Sequence, residues 1–522
     1  MRTDPRELNG KTFDLLVVGG GIQGAAIARE AALRGASVAL VEARDFAAGT
    51  SSRSSRLVHG GLRYLQQGHF ALVKEALHER ERLLRLCPHL VRPVPMLLPF
   101  FRDGGGSRFL AWLGVRAYAW LAGDSTMPRP TRLDPHAAVA AFPGLRTQGL
   151  LGAVQYFDAA TNDSRLTLAN VQAAALAGAK VTNHCAVTGL APRGAVALRD
   201  SVGDAEVAVR ARHVVNAAGP RADAVRRLFG IDAADLVRTS RGSHFVLDPR
   251  PGETALAAFL PDGRIQFVVP HTDGTICGTT DVEEASGDDE PTVPEDDVRY
   301  LLNALSFLLS PPPRQQDVRF AYCGWRSLPA RKGPAGALNR EAFLVTEALP
   351  DADLHTVVGG KLTTHRAFAE RAVARILDLS AKDSPTRTRA LPGGDGPREV
   401  QDPLWWRHGS EAMAVRELAR VDPAWAQPLC PHRPLLVAEA VLALRHLGAV
   451  TFADLMLRRL VHSQGPCRRV ECLRRAHEVF RRERAHAVDD DFGRAHAALE
   501  AELRQLIGAA EGAGGVPAAA RA

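Results

Sequence analysis

Gly19, Gly21 and Gly24 fall in the string VVGGGIQG at the GxGxxG spacing, between an apolar run at residues 14–18 and a helical pattern at 22–34. At such a junction the first glycine permits a tight turn, the second lets the backbone approach a pyrophosphate, and the third lets helix and strand pack closely. The helix N-terminus then faces the negative charge. Glu42 ends the next apolar run, residues 37–41, eighteen residues after Gly24. A carboxylate at that place accepts hydrogen bonds from both ribose hydroxyls of an adenosine and repels a 2′-phosphate. The chemistry expected is dinucleotide binding with NADP disfavoured, and these residues alone leave NAD and FAD both open.

The elements that must hold these residues follow from periodicity. Residues 14–41 read as a βαβ unit. Residues 75–86 read as an amphipathic helix that stops before Cys87-Pro88, because a proline disfavours helical geometry in the residue before it. A helix at 166–176 and strands near 180–187 and 212–216 return the chain to the nucleotide sheet, the last strand ending in the turn NAAGP, residues 216–220. From 239 to 326 the pattern is strand-like with turns (SHFVL, RIQFVVP, TICGTTD), which predicts a mixed sheet in a separate domain. A strand at 354–358 closes in Gly359-Gly360 and precedes a helix at 364–376. The segment PTRTRALPGGDGP, residues 385–397, reads as a linker to a helical C-terminal part, and 508–522 as an alanine- and glycine-rich tail.

At 522 residues the chain exceeds what one hydrophobic core serves, so two or three domains are expected. With 46% hydrophobic and 24% charged residues it has the proportions of a soluble globular protein, which argues against disorder or a membrane-spanning chain. The N-terminal stretch has no apolar run of signal-peptide length. The longest apolar segment, 109–122, is broken by Arg116, so any membrane contact is expected to be peripheral. The seven cysteines are scattered and contain no CxxC pair, so neither a zinc site nor a disulfide framework is expected, no metal is assigned, and a reducing cytoplasm fits.

The NAAGP turn with Gly219 resembles the second adenosine-side motif of two-dinucleotide-fold flavoproteins, which favours FAD. SSRSSRLVHGGLRYL (51–65), RGSHFVL (241–247), GTTD (278–281), GWRSL (324–328) and GGKLTT (359–364) resemble, in the same order, the FAD-dependent, quinone-linked glycerol-3-phosphate dehydrogenases. The resemblance spans roughly residues 12 to 490, and HGGLRYL with GGKLTT is its most specific part. It implies an α/β fold: a discontinuous two-dinucleotide-binding, Rossmann-like FAD domain (12–90, 150–238 and 340–384), a mixed β-sheet substrate domain (91–149 and 239–339), a C-terminal helical domain (398–507) and a flexible tail (508–522). It further implies that FAD is held by Gly19, Gly21, Gly24, Glu42, Ser51, Ser52, Ser55, Gly219, Gly359, Gly360, Leu362 and Thr363.

A small phosphorylated polyol such as glycerol 3-phosphate needs cations to hold a dianion in a water-poor pocket, and Arg63, Arg326 and Lys361 are the candidates, with Tyr64 as a hydroxyl contact. Oxidising its secondary alcohol needs a hydride acceptor and a base for the hydroxyl proton. His59 and His244 are the titrating candidates; Arg326 polarising an alkoxide, with the proton leaving through water, stays open beside them. Lys361 completes the expected catalytic set, since the 359–364 turn at a helix start can stabilise an anionic reduced flavin. Three positions depart from the family pattern: Ser327 stands where proline is usual, His365 where tyrosine is common, and Pro270-His271 where some members carry tryptophan.

Between residues 458 and 484 nine arginines face only Glu471, Glu478 and Glu483, in a part that resembles the family's C-terminal helical cap. Basic helices suit an anionic lipid surface. The resemblance implies glycerol 3-phosphate, ubiquinone or menaquinone and a second copy as homodimer for partners, and the basic helices an anionic membrane at the inner face of the cell membrane. A glycerol-3-phosphate oxidase using oxygen is the nearest alternative. An RNA-modifying flavoprotein is disfavoured, because no aromatic-rich basic patch is present, and no nucleic-acid partner is assigned.

Overall fold

Strand Thr12–Val18 is apolar along its buried length and lies at the centre of a sheet ordered Phe343–Ala348, Asp353–Val358, Glu206–Asn216, Thr12–Val18, Val38–Val41, Lys180–Thr182. All neighbours in this order run parallel except the first pair. Such strands read as continuous apolar runs because helices cover the sheet. Here Ile22–Leu33, Asp163–Leu176 and His365–Ile376 pack together on one face, with Ile27, Val171 and Val373 in their shared core. This computed structural model describes residues 1–66, 68–104, 107–249, 252–271, 274–284, 290–331, 341–460, 467–484 and 489–507. The expected tail, 508–522, lies outside them.

The chain leaves Thr12–Val18 through helix Ile22–Leu33 to Val38–Val41 on one side, whereas Glu206–Asn216, which comes much later in the chain, lies on the other, and Val18 pairs with Asn216 at the strand ends. A crevice at the carboxyl ends of strands at such a switch point is where open α/β sheets bind ligands.

The second sheet runs Val282–Glu283, Val237–Leu247, Gly274–Gly278, Ile265–His271, Ala255–Phe259, Val91–Phe101, Leu150–Thr161, Leu57–Val58, with Val318–Pro329 also paired to Val237–Leu247. Leu150–Thr161, which a boundary at residue 150 gives to the nucleotide domain, pairs with Val91–Phe101 in this sheet instead. Helix Glu295–Leu308 covers one face. The strand-like reading of 239–326 passes over it, although Glu295, Asp296 and Asp297 in its first turn complement the helix dipole. Helices Phe70–Leu86 and Arg108–Leu121 cover the other face.

Residues 385–397, the expected linker, form a packed strap. The Leu391 N–H donates to Leu86 O at 3.0 Å, Arg29 Nη2 to Arg389 O at 2.6 Å, and Leu391 is buried. Gly394 allows the approach, since a Cβ there would lie 2.0 Å from Leu86 O. The strap leads to helices Ala412–Val421, Val437–His446, Val470–Glu483 and Phe492–Ile507 and a hairpin, Pro428–Cys430 with Arg433–Leu436.

Two of the nine arginines are not surface charges. Arg458 and Arg459 are buried: both pair with Asp45 of the nucleotide domain, and Arg458 also with Asp454 at 2.9 Å and with Glu502. Removing one member of such a cluster leaves a buried charge uncompensated. These residues dock the C-terminal helices and, being buried, form no part of a membrane-facing surface. Arg468 pairs with Glu500 at 2.6 Å, whereas Arg474, Arg475, Arg481 and Arg482 are exposed.

Candidate active site

The two glycine turns meet although they lie far apart in sequence. Gly19 has φ +109°, and a Cβ there would lie 2.6 Å from Ala217 O of the NAAGP turn. A Cβ on Gly24 would lie 1.9 Å from Gly19 O, so only glycine lets the helix seat on the turn. Gly21 caps Ile22–Leu33 with no side-chain cap bond. Both Glu42 oxygens are held by backbone, accepting from Gly20 N–H at 2.7 Å and Arg44 N–H at 2.9 Å, and Ser51 Oγ accepts from Ile22 N–H at 2.9 Å. The Gly359-Gly360 turn lies over this helix start: Gln23 Nε2 donates to Lys361 O at 3.5 Å, and a Cβ on Gly360, at φ +119°, would lie 2.5 Å from that amide. A dinucleotide cradle whose walls a Cβ would fill fits these residues. Gly219, at φ +60°, faces Ser327 Oγ, with 3.6 Å between that oxygen and a Cβ built there, so the small serine suits the approach.

The 51–65 loop joins this cradle to the second sheet. His59 and Thr363 exchange hydrogen bonds, His59 N–H to Thr363 Oγ1 at 3.1 Å and Thr363 Oγ1 to His59 O at 3.2 Å. The His59 ring meets Phe267 edge-on at 6.1 Å. Lys361 Nζ sits 3.6 Å above the Tyr64 ring, a cation–π contact that holds the ammonium beside the turn. Ser52 Oγ donates to Gly49 O at 3.3 Å, a contact within its own turn. The Arg63 side chain lies outside the described residues. His365, in place of tyrosine, is buried with Nδ1 2.6 Å from Leu362 O, which braces the GGKLTT turn from beneath.

A buried network missed by sequence reasoning supports the loop. The Tyr118 hydroxyl accepts from Gly60 N–H at 2.7 Å and donates to Asp158 at 2.8 Å, and Asp158 accepts from Arg80 at 2.8 Å. Tyr118→Phe should leave Gly60 N–H unsatisfied and lower stability by about 1–3 kcal/mol. Urea denaturation of the FAD-loaded protein measures it, and an unchanged midpoint would remove the network from the account.

On the second sheet, His244 is buried, stacked 5.0 Å from Tyr322, with Nε2 2.8 Å from Ser55 Oγ. Burial first, then the charges of Arg326 and Arg56, pushes its imidazole down to about 3, so the ring is neutral near pH 7. Arg326 is gripped by Thr279 Oγ1 at 2.6 Å, Thr280 O at 2.9 Å and Asp281 at 3.1 Å. Gly242 makes the space, since a Cβ there would fall 2.1 Å from the guanidinium. The GTTD motif is thus the seat of Arg326, a role its sequence did not disclose.

Burial likewise holds His89 down to about 3 and His365 to about 4, while Asp454 raises His184 against its own burial. Burial also pushes His355 down to about 4 and lowers His408, so with five rings depressed against one raised, the unfolded chain binds protons that the folded chain refuses. Stability contributed by the neutral rings is full above about pH 6.5 and falls as pH drops toward their folded values, by about 1.4 kcal/mol per pH unit for each fully refused proton. The expected result is a urea midpoint that declines from pH 6.5 to pH 4.5; a flat or rising midpoint would contradict it.

The structure therefore gathers His59, Tyr64, Lys361, Gly359, Gly360, Leu362 and Thr363 around the first helix start, and His244 and Arg326 on the adjoining strands, with the 51–65 loop spanning both and its Ser55 meeting His244. Residues 14–366 match the family described as FAD dependent oxidoreductase. Glycerol-3-phosphate dehydrogenase 2 of Mycobacterium tuberculosis is 34% identical over 504 residues, covering 91% of this chain and 85% of that protein. The human mitochondrial glycerol-3-phosphate dehydrogenase is 33% identical, over 86% of this chain and 67% of its own. The crystal structure of the Bacillus halodurans glycerol-3-phosphate dehydrogenase, complexed with FAD, superposes with a TM-score of 0.75 at 27% identity and covers 96% of both chains. With its glycine cradle, its paired sheets and these relatives, the chain is an FAD-binding oxidoreductase and belongs to the glycerol-3-phosphate dehydrogenase family.

Proposed function

We propose that the protein oxidises sn-glycerol 3-phosphate at its secondary alcohol to dihydroxyacetone phosphate and passes the electrons to a membrane quinone. The observation that carries this reading is a fixed cation, Arg326, beside a buried neutral His244, on strands that the 51–65 loop joins to the Gly359-Gly360 turn through Ser55 and His59, with Lys361 over Tyr64 of the same loop. Bound FAD supplies the hydride acceptor at N5. Arg326, held in place by Thr279, Thr280 and Asp281, presents a fixed cation to the substrate oxygens. Lys361 offers a second cation whose reach is limited by its stacking on Tyr64. His244 takes the hydroxyl proton; a dianionic substrate beside it raises its affinity for that proton from the depressed resting value. His59 orders the loop against Thr363 and closes the pocket toward Phe267.

Among the described residues no helix is long and apolar enough to cross a membrane. Helix Arg108–Leu121 nevertheless exposes Phe109, Leu110, Leu113 and Trp120, the last 80% exposed, along one side, while Val115 and Tyr118 face inward. That side inserts shallowly into the lipid interface at the inner face of the cell membrane, and the exposed arginines 474, 475, 481 and 482 add attraction to anionic headgroups. Trp120→Ser with Leu113→Ser should release the enzyme from anionic vesicles with FAD content unchanged; equal sedimentation of variant and parent would reject this surface. The acceptor is tested by anaerobic turnover with a soluble ubiquinone analogue. Rapid quinone reduction supports the reading, and turnover only when oxygen is admitted overturns it in favour of an oxidase.

A further inference from the structure

Four metal-binding side chains converge in the C-terminal helical region, remote in sequence from every flavin motif. Cys430 ends one strand of the hairpin and His432 lies in its turn, Cys467 precedes helix Val470–Glu483, and Cys472 sits in that helix's first turns. In the chain they fall as Cys-x-His and Cys-x4-Cys separated by a long gap, so no CxxC pair marks them. In space His432 Nδ1 lies 3.5 Å from Cys430 Sγ, 3.7 Å from Cys467 Sγ and 3.4 Å from Cys472 Sγ. All four ligand atoms lie within 4.8 Å of one another, and the three thiols are free.

These are the edges of a coordination tetrahedron. With Zn–S of about 2.3 Å and Zn–N of about 2.0 Å, tetrahedral angles separate sulfur from nitrogen by about 3.5 Å. Three mutually contacting thiols and an imidazole gain little from one another without an ion, since S–H is a weak donor and sulfur a weak acceptor. The His432 N–H also points at Cys430 Sγ, 3.3 Å away, the kind of backbone bond that orients a ligating thiolate. The other clusters of similar composition differ. Asp45, His184 and Asp454 are already neutralised by Arg458 and Arg459, and Asp353 beside His213 and His355 is half exposed.

We propose that Cys430, His432, Cys467 and Cys472 bind one zinc ion in a closed structural site. Three thiols release their protons as Zn²⁺ enters, three Zn–S bonds and one Zn–N bond form, and no electron is transferred. Thiolate and imidazole ligands select zinc over the hard cations that prefer oxygen, and four protein ligands leave no position for catalysis. The ion clamps the hairpin to helix Val470–Glu483 over the core containing Leu429, Leu435, Leu473 and Phe480. Its effect is on the C-terminal region and not on the flavin.

The test is elemental analysis of the full-length, FAD-loaded protein, purified without a polyhistidine tag or added metal. About one zinc per chain is expected. Cys472→Ser and His432→Ala should each lose at least nine-tenths of the zinc at an unchanged FAD-to-protein ratio, and His432→Cys should keep it. Should the losing variants misfold, parent protein grown with cobalt should show a thiolate-to-cobalt charge-transfer band with intense tetrahedral d–d bands. Folded parent protein without stoichiometric metal, a disulfide among these cysteines, or full zinc retention in both losing variants would overturn the proposal.

Discussion

Arg326→Ala is expected to lower kcat/KM for glycerol 3-phosphate by about 10²–10³-fold with FAD still bound, the loss seen when a preorganised donor to developing charge is deleted. The guanidinium is preorganised here by bonds to Thr279, Thr280 and Asp281 and by the missing side chain of Gly242, so substrate binding costs no reordering of it. The alanine variant also leaves Asp281 without that cation, which places a carboxylate where a dianion must approach. Arg326→Lys restores charge but not the forked geometry and should recover only part of the rate. Steady-state kinetics together with the flavin spectrum check this; parent-like kcat/KM in an FAD-loaded alanine variant would remove Arg326 from the site.

Gly24→Ala should yield protein that retains less than about a tenth of the FAD of the parent, because the cradle closes only if backbone meets backbone at this position. The added methyl would stand 1.9 Å from Gly19 O, and neither the strand end nor the helix can retreat without moving Ala217, against which Gly19 already packs. Gly21→Val acts differently: a Cβ there first meets Ser51 Oγ at 3.1 Å, so its damage comes from the branched methyls filling the pyrophosphate face. The flavin absorbance of the purified variants, read against circular dichroism, separates cofactor loss from unfolding. A yellow, folded Gly24→Ala protein would contradict the geometry.

Local signals were legible where one stretch of chain makes one feature. The Gly19–Gly24 turn, its flanking strand and helix, and the 359–364 turn need only neighbours in sequence, and a dinucleotide-binding α/β fold follows from them, while the choice of FAD needed the resemblance of the longer motifs. What stayed hidden is pairing across the chain. Nothing in GTTD marks Asp281 and Thr279 as the seat of Arg326, because the bonds run between strands joined only in the folded sheet. Tyr118 reads as one more apolar position in 109–122, yet its hydroxyl holds the Gly60 loop. Arg458 and Arg459 look like a surface charge run, since sequence cannot distinguish a solvated guanidinium from one that meets Asp45 across a domain boundary. The cysteines look scattered for the same reason: Cys430 and Cys472, which the hairpin and the helix bring together, are over forty residues apart.

Under the proposed function, Arg326, Lys361 and the neutral His244 serve a phosphorylated secondary alcohol, and the flavin itself reports which substrate reduces it. Anaerobic stopped-flow mixing of the yellow protein with glycerol 3-phosphate, glycerol or lactate tests it most directly. Glycerol 3-phosphate should bleach the flavin absorbance within seconds, and glycerol and lactate should do so at least about a hundredfold more slowly, as expected when two charge-assisted contacts worth roughly 1.5–3 kcal/mol each are lost. Bleaching by glycerol at the rate seen with glycerol 3-phosphate, or none with glycerol 3-phosphate, would contradict the account.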